Sequence, residues 1–268
     1  MCAFDGRIKG DGVAYRTRGE PLKQLRALTF GGLLLVVGSG CARSHVLGLR
    51  HDPRFTYGSL DSGSIAVGGV TWVTGDEAPS AATRSQFESL LATALTDADP
   101  RLTVMSAGAV AAALPEGSHG KLLARYRLAG ELDSTALYEM SDRLSNVRYV
   151  VLARIEGDVT ERSETVTRDT LEKKPKYEHV SLAVSRTMTL GFQVYDMSLR
   201  LAVWSGRLSR TDDASNNYED PTGFLESLVT ATLRGPHKYP DAPAQINVLR
   251  HVFQDFAESL PQPPKQRP

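Results

Sequence analysis

The stretch "LTFGGLLLVVGSGCARS", Leu28 to Ser44, does more than any other feature to decide which part of this chain can fold as a globular body. Fourteen uncharged residues separate Arg26 from Cys41, and Ala27–Val37 is their mainly apolar part. A helix that spans a bilayer needs about 20 such residues, whereas the apolar centre of an export signal needs about 7 to 15. The length predicts a signal rather than a finished span. Lys23 and Arg26 supply a basic lead, and Gly38, Ser39 and Gly40 are small enough for a signal peptidase. The lead of 26 residues contains three acids, Asp5, Asp11 and Glu20, and is long for its kind, so initiation at Val13 or Leu22 is the expectation.

Small residues followed by Cys41 resemble the lipobox of bacterial lipoproteins. That resemblance implies a thiol carrying diacylglycerol, cleavage just before Cys41 and an acylated new amino terminus. Gly38 stands where the family usually has a branched aliphatic, with Val37 one place further back. Ala42, rather than Asp, follows the cysteine, which in the best-known sorting scheme implies the outer membrane.

Lys plus Arg and Asp plus Glu are equal at 31 each, so no net field draws the chain to nucleic acid. Six of the bases and three of the acids precede Cys41, which leaves 25 against 28 and a slightly acidic body. Its two cysteines, Cys2 and Cys41, both lie in the leading segment, so the body has no disulfide.

Residues 41–63 have no periodicity and read as a flexible tether, which at about 3.5 Å per residue over about 20 residues would reach about 70 Å. From Ser64 the pattern changes. "SIAVGGVTWV" reads as a buried strand in which Gly68 and Gly69 mark a bulge or a close backbone approach. Phe87, Leu90, Leu91, Ala94 and Leu95 form one helical stripe. "RLTVM" reads as a short strand, Ser106 as a helix cap, and 120–129 and 134–144 as helices, the latter capped by Asp133 or Ser134.

"VRYVVLARIEGDV" predicts a strand with Val147, Tyr149, Val151, Ala153, Ile155 and Val159 on one face and Val150 and Leu152 on the other, hence central and covered on both sides. Met188, Leu190, Phe192 and Val194 alternate with polar neighbours, and Leu199, Leu201 and Val203 continue into a hairpin partner. Two further helices carry Phe224, Leu225, Leu228 and Val229, then Leu249, Val252, Phe253, Phe256 and Leu260. The expected architecture is a single α/β (α+β) domain over 64–260, a mixed sheet of about four to five strands packed against amphipathic helices. It follows a cleaved signal peptide at 1–40 and precedes a disordered tail at 261–268.

This order of elements, with Arg148–Ile155 and Tyr195–Gly206 in the places of the family's two strand motifs, resembles the envelope lipoproteins grouped with LpoB, CsgG and the amino-terminal domain of TolB. The resemblance spans roughly 64–210 and implies a small α/β fold. Its pore-forming members insert apolar hairpins, but the insertion at 161–183 is dense in charge, and a charge facing lipid in a barrel costs about 2 to 4 kcal/mol. A pore is therefore not expected. The insertion reads most simply as a solvated loop; if it forms a hairpin arm, its alternating Arg162, Glu164, Arg168 and Glu172 belong in water or against a partner protein.

Catalytic signatures are sparse. Six histidines are scattered without an i, i+4 pair, so no metal centre is expected, and no phosphate loop or nucleophile elbow occurs. Glu156 and Asp158 read as sharing a strand face and could form an acid/base pair, although a solvated strand end accounts for them more simply. Arg148 and Arg154 read as partly buried strand arginines that could instead bind an anionic partner. Trp72 and Trp204 read as core residues. The expectation is a non-enzymatic protein, held to the membrane by acyl chains and binding a periplasmic protein such as a peptidoglycan synthase or secretion component. It needs no cofactor. An envelope hydrolase, or a lipoprotein that binds a glycan or small ligand, is the competing reading.

Overall fold

A computed structural model describes residues 43–73, 80–168, 177–223, 229–230, 232–233 and 235–263. The signal segment, Cys41, Glu172 and most of the tail and of the helix expected near 224–229 lie outside them.

Six strands form one mixed sheet: β1 (Arg43–His51), β2 (Ile65–Trp72), β3 (Val104–Met105), β4 (Tyr149–Arg168), β5 (Tyr177–Asp196) and β6 (Leu201–Pro221). Their order across the sheet is β1-β6-β5-β4-β2-β3. β4, β2 and β3 run parallel, and the β4-β5-β6-β1 part is antiparallel. Six helices occur among the described residues: α1 (Tyr57–Asp61), α2 (Ala81–Ala98), α3 (Ala107–Ala113), α4 (Ser118–Ala129), α5 (Ser134–Arg143) and α6 (Gln245–Ser259).

Local chemistry sets the helix ends. Ser80, Ser106 and Asp133 cap α2, α3 and α5 by accepting the N–H of Thr83, Ala109 and Ala136, and Gly130 ends α4 at φ 77° with its N–H on Tyr126 O. The sheet is covered on both faces. On one face α2 and α6 close a core around Ile65, Val67, Val70, Tyr149, Val151, Ala153, Ile155, Leu190 and Phe192. On the other, α4 and α5 close a second core around Ala66, Val150, Leu152 and Tyr195. The alternation expected for the first half of β4 is therefore present.

Several expectations are corrected. The sheet has a sixth strand because the segment expected as a tether holds β1, which pairs with β6 from Arg43 opposite Thr211 to His51 opposite Trp204. Val46, Leu47 and Leu49 on this edge are exposed, and Gly48 sits at φ 62° where the register shifts, so no buried alternation marks the strand. Val159 is 52% exposed, because a bulge between Ile155 and Gly157 reverses which residues of β4 face α6. Val147 belongs to the α4–α5 core, and Leu199 lies in the turn before β6. Trp204 is buried as expected, and Trp72 is partly buried against the core.

Candidate functional site

Beyond the row Val159–Thr187–Thr211 the sheet narrows to three strands. β2 pairs with β4 only as far as Ile155, and β1 pairs with β6 only as far as Thr211. The rest, 160–168, 177–186 and 212–221, projects as an arm about 30 Å long at about 3.3 Å per residue. The charged insertion at 161–183 is thus largely the hairpin of this arm.

Its two faces differ. Val180, Leu182 and Val184 are buried on the face they share with Tyr218 and Asn216. A strap before α6 lies on that face: Asn216 Nδ2 and the Tyr218 hydroxyl donate to Lys238 O at 3.0 and 2.9 Å, and the Tyr218 and His237 rings stack at 4.2 Å. Arg186 locks the strap's end, with two bonds to the Asp158 carboxylate at 2.7 and 2.8 Å and one to Pro243 O at 3.2 Å, while Gln245 Nε2 donates to Asp158 at 2.7 Å. The opposite face presents Glu161, Ser163, Thr165, Thr167, Asp213, Ser215, Asn217 and Glu219, all exposed. At its root this face is tied by hydroxyl pairs, Thr187 with Thr211 at 2.8 Å and Thr189 with Ser209 at 3.1 Å.

Of the four residues expected at a partner surface, Arg162 and Glu164 are exposed on the arm, on the strap side. Arg162 reaches over the Tyr239 ring at 5.5 Å. The backbone of Arg168 ends β4 opposite Glu178.

Glu156 and Asp158 form neither the acid/base pair considered for them nor the solvated strand end expected of them: their side chains are 13% and 14% exposed, and each is ion-paired. The bulge at Glu156 sends Glu156 and Asp158 to opposite faces of the sheet. Glu156 is held by Arg154 Nε at 3.1 Å and by Arg207 Nε at 2.5 Å from its other oxygen. Asp158 is held by Arg186 and Gln245. Two carboxylates neutralised by separate arginines cannot share a proton. Arg148 contacts Asp196 at 3.4 Å, and Asp196 Oδ1 caps the β5–β6 turn by accepting from the N–H groups of Ser198 and Leu199, so Arg148, like Arg154, meets a carboxylate of the chain itself. Four histidines have separate partners: His119 on Gly68 O, His179 near Glu219, His237 on Asp220 and His251 on Asp212.

Burial pushes the Tyr195 phenol up to about 12, and that of Tyr126 upward as well, so both remain neutral donors or acceptors in the α4–α5 core. Tyr126 donates to Leu152 O, and Tyr195 accepts the N–H of Leu132.

No family model matches the chain. No curated protein matches it either. Among solved structures it is similar to PelC from Paraburkholderia phytofirmans, at 12% identity over 84% of this chain and 100% of that one, with a TM-score of 0.36. It is similar to the hypothetical protein CT253 from Chlamydia trachomatis at 15% identity over 72% and 92%, with a TM-score of 0.32. For the lipoprotein GNA1162 from Neisseria meningitidis the values are 14%, 64%, 96% and 0.27. Likenesses of this size carry no functional inference.

Proposed function

We propose that this chain is a lipid-anchored, non-enzymatic protein of the bacterial outer membrane, facing the periplasm, whose three-stranded arm docks a periplasmic partner protein. The observation that carries the reading is the arm itself. Among the described residues its outer edges, 160–168 on β4 and 212–221 on β6, have no neighbouring strand, and one face is a row of exposed Ser, Thr, Asn and acidic side chains. An open edge offers backbone donors and acceptors to an added strand, and charges along it select the partner and discourage indiscriminate pairing. A charged arm is unsuited to lipid contact, which favours a protein partner in water.

Cys41 is the residue proposed to carry the acyl chains. β1 begins two residues later, at Arg43, so the anchor leaves no long tether and holds the β1 edge within about 7 Å of the acylated residue.

A photo-crosslinking amino acid placed at Thr165 in living cells tests the docking. A discrete protein adduct, absent when the same group is placed at the exposed Leu128 on α4, is the expected result; equal labelling at both positions, or none at Thr165, contradicts the reading.

A further inference from the structure

β2 is followed by α2 on one face of the sheet, while α4 lies on the other face, against the Gly68-Gly69 bulge. Between them, outside the carboxyl end of β2, is a crevice lined by Val70, Trp72, Arg84, Leu123 and Arg127. Its volume is about 140 Å³. Such crevices beside the carboxyl ends of parallel strands are where open α/β sheets take their ligands.

The electrostatics of the crevice are unusual for this molecule. Arg154, Arg186, Arg207 and Arg210 each meet a carboxylate. Arg84 and Arg127 are half-buried, and neither guanidinium has a hydrogen-bond or ion-pair partner among the described residues. The nearest acid on α2 is Glu88, one turn along from Arg84. Its carboxylate faces the bulge, 3.4 Å from the N–H of Val70, and acts on Arg84 through space without forming an ion pair. Glu88 offsets only part of the repulsion between two like charges half-withdrawn from water in one concavity, so an anion that both can reach is favoured there. Guanidinium pairs match the oxygens of a doubly charged oxyanion, since each fork can donate two parallel bonds. Val70 and Leu123 give the crevice an apolar floor, beside which such bonds are stronger than in open water.

We propose that this crevice binds a phosphate group through Arg84 and Arg127. The arm reading does not bear on it, and either can fail alone. Phosphate could arrive free or as a monoester on a larger molecule, and the crevice has the same chemistry for both.

The test is calorimetric titration of the purified chain, at constant ionic strength, with inorganic phosphate and separately with glycerol 3-phosphate. Saturable binding is expected, with affinity falling roughly tenfold or more in Arg84→Gln and in Arg127→Gln. Arg84→Lys, which keeps the charge and loses the fork, should fall in between. Arg125→Gln, on the same helix but outside the crevice, should bind normally. Tighter binding of the monoester assigns the site to a phosphorylated molecule, weaker binding of it assigns the site to free phosphate, and equal binding shows that the phosphate group alone is recognised. Absence of saturation with both probes, or affinity unchanged in both glutamine variants, overturns the proposal.

Discussion

At Gly69 the backbone adopts φ 144°, and a Cβ there would fall 2.6 Å from Leu123 Cδ2. Strain and overlap act together, so Gly69→Ala should lose about 2 kcal/mol or more, read from urea unfolding. The glycine pair was legible in the sequence as a bulge or a close approach, because few other reasons place two glycines within a β-branched run. The roles of Glu156 and Asp158 were not legible: the extra residue that sends them to opposite faces leaves no compositional mark, and period-two counting carries straight through it. Arg84 and Arg127 were missed for a related reason. They are far apart in sequence, and only the packing of α2 and α4 around β2 brings them to one crevice.

Tyrosine burial gives a pH dependence at the same scale. In the unfolded chain a phenol titrates near pH 10, but Tyr195 is pushed up to about 12 by burial and Tyr126 is raised by the same cause. The native state therefore keeps protons that the unfolded state releases. This contribution is complete below pH 10 and disappears as pH rises from about 10 towards 12. Unfolding curves at successive pH values above 9 should show stability falling in that window, and stability that holds steady to pH 12 would contradict the burial of these phenols.

Among the elements, α6 was the most readable, since Leu249, Val252, Phe253, Phe256 and Leu260 follow one helical stripe and all are buried. Phe256 stacks on Phe192 at 4.2 Å and meets Trp204 edge-on at 5.1 Å. Phe256→Ala should cost about 3 to 5 kcal/mol by chemical denaturation. The strap and arm depend on the Asp158–Arg186 pair, whose side chains are 14% and 22% exposed. Removing one member leaves the other charge unpaired in a poorly solvated place, so Asp158→Ala should cost about 3 kcal/mol or more. The pair Asp52–Arg54, with its arginine 61% exposed to screening water, should lose far less on the same treatment. β1 stayed hidden because an edge strand with exposed Val46, Leu47 and Leu49 and a glycine kink has no buried face to impose a pattern. Half of the arm stayed hidden too, since its Thr, Val and Ser favour strands while its charges read as loop.

For the whole molecule, the replacement of a tether by β1 changes what an anchor at Cys41 would do. With Cys41 acylated as proposed, a domain free to roam about 70 Å would become one held beside its anchoring leaflet, with the arm as its reach. A fluorophore on Leu47→Cys lies six residues from Cys41 and should be quenched strongly by a quencher attached to lipid headgroups. One on Leu128→Cys should be quenched much less, and equal quenching would restore the tether.

The proposed location rests on an apolar segment of signal length rather than spanning length, and on Cys41 as the proposed lipid carrier. Mass spectrometry of the mature amino terminus, extracted from membranes, tests this most directly. The account predicts Cys41 as the first residue, carrying a thioether-linked diacylglycerol and an acylated amine. A mature chain that starts elsewhere, or at Cys41 without lipid, would contradict it.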